Sequence, residues 1–164
     1  MNATNRSASE AGAVTLATGA RHRILAWPRY ERAIDLETLA RGFGPAFADR
    51  DDVCLCLRHD PGIDIPLADA IAAVSAELTG ALGPDPRFEV LMVDNPLDDG
   101  GWSSLGRAIT GVILLPWSWD VQRQRPLTGL GHPLMTSADD LRRHLADDHL
   151  AQLVRSQKGR GPNT

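Results

Sequence analysis

His22-Arg23-Ile24-Leu25-Ala26-Trp27 and Val53-Cys54-Leu55-Cys56-Leu57-Arg58 bracket a helical pattern that runs through Leu36, Leu39, Phe43 and Phe47. An apolar run, a helix and a second apolar run make a βαβ unit. Strands of a parallel sheet are covered on both faces, so they read as continuous apolar runs rather than as an alternation. This stretch decides the fold, and the rest of the chain continues it.

Outward from it, Pro28 stops the first strand, Ile24–Trp27, because proline cannot donate to a ladder. Asp35 is placed to cap a helix that runs to about Ala48. Pro45 would clash with the carbonyl of Arg41, so a kink or an early end is expected there. A charged turn, Asp49–Asp52, feeds the second strand, Val53–Leu57, and Asp60-Pro61-Gly62 signals a turn. Asp64 then caps a helix with Pro66 in its first turn, where proline is tolerated. Leu67, Ile71, Val74, Leu78 and Leu82 form one apolar stripe, and Gly83-Pro84-Asp85-Pro86 ends it.

The third strand is Phe88–Val93, and a polar loop follows from Asp94 to Gly101. A short helix starting at Ser103 or Ser104 leads into the fourth strand, Gly111–Leu115, which Pro116 ends. Trp117–Gly131 reads as a loop and Pro133–Thr136 as a fifth strand. Ser137-Ala138-Asp139-Asp140 resembles a capping box ahead of a helix carrying Leu141, Leu145, Leu150 and Leu153 to about Val154. The expected fold is a three-layer open parallel β-sheet of about 5 strands flanked by helices, a Rossmann-like α/β domain. The division is a flexible segment over 1–20, with Val14–Leu16 as an optional edge strand, one domain over 21–155, and a disordered tail over 156–164.

A chain of 164 residues with 43% apolar content is large enough for one real core. The net charge of −4 argues against a general nucleic-acid binder, which needs a concentrated basic face. The basic tail Arg155–Arg160 reads as a solvated terminus. Cys54 and Cys56 share one face of a strand and read as small core residues rather than a metal or redox pair. No apolar run approaches the ~20 residues that span a bilayer. Met1–Gly19 lacks the pattern of a secretory signal, so a cytoplasmic location is expected.

Several of these segments together resemble the C-terminal, donor-binding half of GT-B glycosyltransferases. They are Ile24–Trp27, Asp51-Asp52-Val53 with Leu55 and Leu57, Phe88–Val93, Ser104–Ala108, Val112–Trp117 and Gly131-His132-Pro133-Leu134. The likeness covers roughly residues 23–146. It implies a donor such as a UDP- or GDP-sugar, gripped beyond the carboxyl ends of the strands. By that resemblance Arg29 and Arg32 stand near the positions that hold the donor diphosphate. The stretch from Pro116 to Leu134 stands where the family carries two Glu seven residues apart, yet it contains no Glu, and Asp120 is its one acid. A GT-B enzyme also needs two such domains around its cleft, and this chain supplies one.

The candidate ligand-binding residues are therefore Trp27, Arg29, Asp94, Asn95, Trp117 and Ser118 at predicted strand ends, with Arg32 and Asp120 as the resemblance implies. No catalytic residue and no metal ligand is assigned. His144, Asp148 and His149 share a helix and read as its solvated end, Asp98-Asp99 as a plain turn, and Ser118 lacks the glycines of a nucleophile elbow. The expectation is a catalytically degenerate glycosyltransferase-like module that binds itself or a second glycosyltransferase-like chain. The alternative is the donor-nucleotide-sugar-binding subunit of a split, active transferase.

Overall fold

A computed structural model describes residues 13–115 and 121–158. Its sheet consists of β1 (His22–Ala26), β2 (Val53–Arg58), β3 (Glu89–Val93), β4 (Gly111–Ile113) and β5 (Leu134–Met135). All pairs are parallel and the order across the sheet is β3-β2-β1-β4-β5. β1 to β3 step outward in one direction. The chain then returns past β1 to place β4 on its other side, so the direction of winding reverses between β1 and β4. The helices are α1 (Ala33–Glu37), α2 (Gly44–Phe47), α3 (Leu67–Leu82), α4 (Asp99–Ala108), α5 (Val121–Thr128) and α6 (Ala138–Lys158). This is the Rossmann-like α/β architecture that the alternation of strand and helix patterns predicts.

Alternation along the strands divides the core in two. Ile24 and Ala26 of β1, with Leu55 and Leu57 of β2, face one side and pack with Phe43, Phe47, Val74, Leu78, Leu141 and Leu145. Leu25 and Trp27, with Cys54, Cys56 and Val112, face the other and pack with Leu105, Ile109 and Leu127. Phe47 and Phe88 meet edge to face at 4.8 Å. Cys54 and Cys56 are free thiols inside this core, as their setting in an apolar strand implies.

The structure departs from the sequence reading in several places, and α6 itself runs on to Lys158, into the expected tail, rather than ending near Val154. The helix after β1 runs on past Pro45 to Phe47 rather than ending before it. Thr38–Phe43 widens into a π-helical segment between α1 and α2, and Pro45 falls in the first turn of α2, where its missing N–H costs nothing. Asp35 does not cap α1. It lies buried inside the first turn and accepts the Arg29 N–H at 2.9 Å. Trp117–Gly131 is not all loop, because 121–128 forms α5 despite Pro126. α4 starts earlier than Ser103, capped by Asp98, whose carboxylate accepts the Gly101 N–H at 2.7 Å. Residues 14–16 add no strand. The Val14 N–H donates to the Ser104 hydroxyl, and Val14 and Leu16 pack on the second core.

Half of the capping box of α6 is present, and the reciprocal bond goes to Thr136, the residue before the cap, rather than to the Ser137 N–H. Ser137 accepts the Asp140 N–H at 3.2 Å, and Asp140 accepts from the N–H and hydroxyl of Thr136 at 3.1 Å each. Among the described residues, no helix is long and apolar enough to cross a membrane.

Candidate functional site

The carboxyl ends of β1, β2 and β3 converge on a cage of charged and aromatic side chains. Open α/β sheets hold ligands in the crevice at this edge, where the winding reverses. Trp27 follows β1 directly. Its indole N–H donates to Asp64 Oδ2 at 2.9 Å, and the residue is 3% exposed. Asp64 was expected to cap α3, but Pro66 occupies that place without a side-chain cap. Asp64 turns inward instead. Oδ2 also accepts the Asp60 N–H at 2.8 Å, and Oδ1 pairs with Arg123 Nη2 of α5. The Asp64 and Arg123 side chains are 0% and 2% exposed, so this is a fully buried ion pair. The Arg123 guanidinium also lies over the Trp27 ring, 5.6 Å from its centre.

Arg58, the last residue of β2, brings a second buried guanidinium. It sits 5.5 Å from the centre of the Trp27 ring and 5.5 Å from that of Trp102. Nη1 donates to the carbonyls of His59, Val93 and Asn95 at 2.9, 3.0 and 2.6 Å, stitching the ends of β2 and β3 together. Nη2 lies 3.8 Å from Asp60 Oδ2. Burial pulls the Arg58 pKa down, opposed by the charges of Asp60, Asp64 and Asp94. A guanidinium titrates so far above neutrality that it stays charged even so.

Tyr30 closes the cage, its hydroxyl donating to the Arg58 carbonyl. Burial, then the charge of Asp64, hold the Tyr30 pKa above its ordinary value, so the phenol remains a donor. Its ring packs against His59, 5.9 Å away. His59 Nε2 lies 2.7 Å from the Ile65 carbonyl, which can only accept, so the ring proton resides on Nε2.

Chemically the charges of the cage are matched within it, while Arg58 Nε and His59 Nδ1 are buried there without a hydrogen-bond partner among the described residues. Arg123 faces Asp64, Arg58 faces Asp60, and the aromatic rings cover both cations. Low local dielectric strengthens these contacts and makes each partner costly to strand. With no exposed surface, the Asp64 side chain is not available to a substrate as a base. Among the described residues, no group of three or more His, Cys, Asp or Glu is arranged to hold a metal ion.

The structure brings three of the sequence candidates to this edge in different ways. Trp27 is the centre of the cage. Asn95 enters through its backbone carbonyl, and Asp94 through its charge near Arg58. Arg29 stands beside the cage with its side chain one-third exposed and its Nε 3.6 Å from Glu31 Oε1. Arg32 lies exposed at the start of α1. Trp117, Ser118 and Asp120 lie outside the described residues.

Arg58, Asp64, Trp102 and Arg123 are not among the site candidates of the sequence, where Asp64 reads only as a helix cap and Arg58 only as the end of a strand. One signal did exist for Arg58: a charged residue ends an otherwise apolar buried run and His-Asp follows it. Nothing local marks Arg123, because α5 has no apolar period. No protein-family model matches the sequence, and no curated protein matches it either.

Proposed function

We propose that this chain is a non-catalytic glycosyltransferase-like domain that acts by binding, as an accessory or oligomerisation module. The supporting observation is the filled crevice. At the carboxyl ends of β1 and β2, the Trp27 ring and the buried Asp64–Arg123 pair take up the space, and Arg58 Nη1 donates to backbone carbonyls. A phosphate-binding site needs its cations turned outward with their hydrogen bonds open, and these two are turned inward.

Isothermal titration with UDP, GDP, UDP-glucose and GDP-mannose tests the reading. The expected result is no turnover and no binding that Arg29→Ala weakens. Micromolar binding abolished by Arg29→Ala would overturn it. That result would favour the second reading, a donor-binding subunit of a split transferase, for which the partly exposed Arg29 and the exposed Arg32 are the supporting groups. Light scattering separates the two binding roles. A particle of about twice the 17.7 kDa chain mass supports self-association, and a clean 17.7 kDa particle assigns the role to a different partner chain.

A further inference from the structure

A second concavity lies outside the cage, between α4 and α5. It is an open cleft of about 660 Å³. Sites for small organic molecules fall in the range of roughly 300–1,000 Å³, and a bare inorganic anion would fill little of this one. Trp102, Ser103, Gly106 and Arg107 line it from α4, and Arg125, Pro126 and Leu130 from α5 and the turn after it.

The cleft has a floor because Gly106 lets the two elements approach. A Cβ at Gly106 would stand 3.2 Å from Leu130 Cδ2, and His132 Nε2 reaches the Gly106 carbonyl from the same side.

Its charge differs from that of the cage. Arg58 and Arg123 are buried and matched to carboxylates. Arg107 and Arg125 are exposed, and neither has an ion pair or a side-chain hydrogen bond among the described residues. Among the described residues of the lining Asp99 is the one acid beside Arg107 and Arg125, so these residues carry a net positive charge on a molecule whose formal charge is −4. Trp102 supplies the apolar wall. It is half-buried, and Trp27 and Arg58 pack against it from the cage side. The lining thus offers a flat aromatic surface, two guanidiniums with their donors open, and the Ser103 hydroxyl.

We propose that this cleft binds a small aromatic oxyanion, a flat ring carrying a phosphate or carboxylate. The ring lies against Trp102 and Pro126, and Arg107 and Arg125 hold the anionic head. Guanidinium forks suit both head groups, and aromatic walls hold rings by offset or edge contacts. The proposal does not rest on the filled crevice: the two regions share Trp102, but the arginines that carry the anion, Arg107 and Arg125, lie outside the cage.

The test is isothermal titration of the full chain with 1-naphthyl phosphate and 2-naphthoate, with inorganic phosphate and 1-naphthol as the ring-free and charge-free arms. Saturable binding of at least one naphthyl anion is expected. Binding should weaken about tenfold in Arg107→Ala and in Arg125→Ala, as loss of a charge-assisted hydrogen bond implies, and stay unchanged in Arg29→Ala. The two head groups distinguish a phosphate from a carboxylate ligand. Both arginines are exposed, so the variants should melt with the parent, and Arg107→Lys should retain part of the affinity. No saturable binding of either naphthyl anion would overturn the proposal. So would binding undiminished in the Arg107→Ala/Arg125→Ala double variant, or inorganic phosphate or 1-naphthol binding as tightly as the anions.

Discussion

Asp64 shows most clearly how single residues set the character of this molecule. Its side chain has no solvent contact, and it takes hydrogen bonds from Trp27, Asp60 and Arg123. Removing Arg123 leaves a buried carboxylate uncompensated. Arg123→Ala should therefore cost about 3–5 kcal/mol in urea unfolding. Replacing both partners with apolar residues, Asp64→Leu with Arg123→Met, should recover most of that loss, because the desolvation penalty disappears with the charges. A loss below about 1 kcal/mol in Arg123→Ala, the range of exposed pairs, would mean that the pair is not buried in solution.

A second residue sets the response to acid. Asp52 receives two hydrogen bonds from Arg50, at 2.9 and 2.7 Å, and lies near His22. The Arg50 hydrogen bonds, more than the nearby charges, hold its pKa at about 2 against an ordinary 3.8. A carboxylate with a depressed folded pKa stabilises the fold above its unfolded pKa and loses that contribution as the pH falls through the folded one. Stability should drop between pH 3.8 and about 2, and Asp52→Asn should flatten that limb of the pH–stability curve. An unaltered limb in the variant would remove Asp52 from the account. In the core, hydrogen bonding with Cys54 and then burial push the Cys56 thiol up, keeping it protonated and poorly nucleophilic. Cys56 should resist iodoacetamide in the native protein and react once the chain is unfolded in denaturant.

At the scale of elements, legibility follows the physics of patterning. β1, β2 and α3 were readable because burial on both faces gives unbroken apolar runs, and burial on one face gives a 3.6-residue stripe. Ala70, Val74 and Leu78 are the buried residues of α3, flanked by the half-buried Leu67, Ile71 and Leu82. α5 was not readable, because only Leu127 and the polar Arg123 among its residues are buried. A buried arginine is invisible to a hydrophobic pattern, and its partner Asp64 is 59 positions away in sequence. That separation is also why the cage went unseen while its backbone setting, the strand ends, was foreseen.

The wide segment before α2 has a packing consequence. A Cβ at Gly44 would lie 2.8 Å from Leu82 Cδ2, so a larger residue there requires the Leu82 side chain at the end of α3 to shift. Gly44→Ala should cost about 1–3 kcal/mol by overpacking, read as a lowered denaturation midpoint. A neutral result would show that Leu82 moves aside freely.

At the scale of the whole molecule, the sheet order places both kinds of concavity. β1 and β2 are covered by helices on both faces, and the carboxyl end of β1 borders the point, between β1 and β4, where the winding reverses. In many sheets of this kind that point is open and holds a ligand. Here indole, guanidinium and carboxylate groups fill it, and the unmatched positive charge lies one layer out, between α4 and α5. The two regions share Trp102, whose ring packs 5.8 Å from Trp27. The central claim is that the strand-end crevice is closed, which makes exchange of the Trp27 indole proton with solvent the most direct test. This proton, bonded to Asp64, should exchange slowly by nuclear magnetic resonance in deuterium oxide, and equally slowly with UDP-glucose present. Rapid exchange in the free protein, or an opening of the indole when UDP-glucose is added that Arg29→Ala prevents, would contradict it.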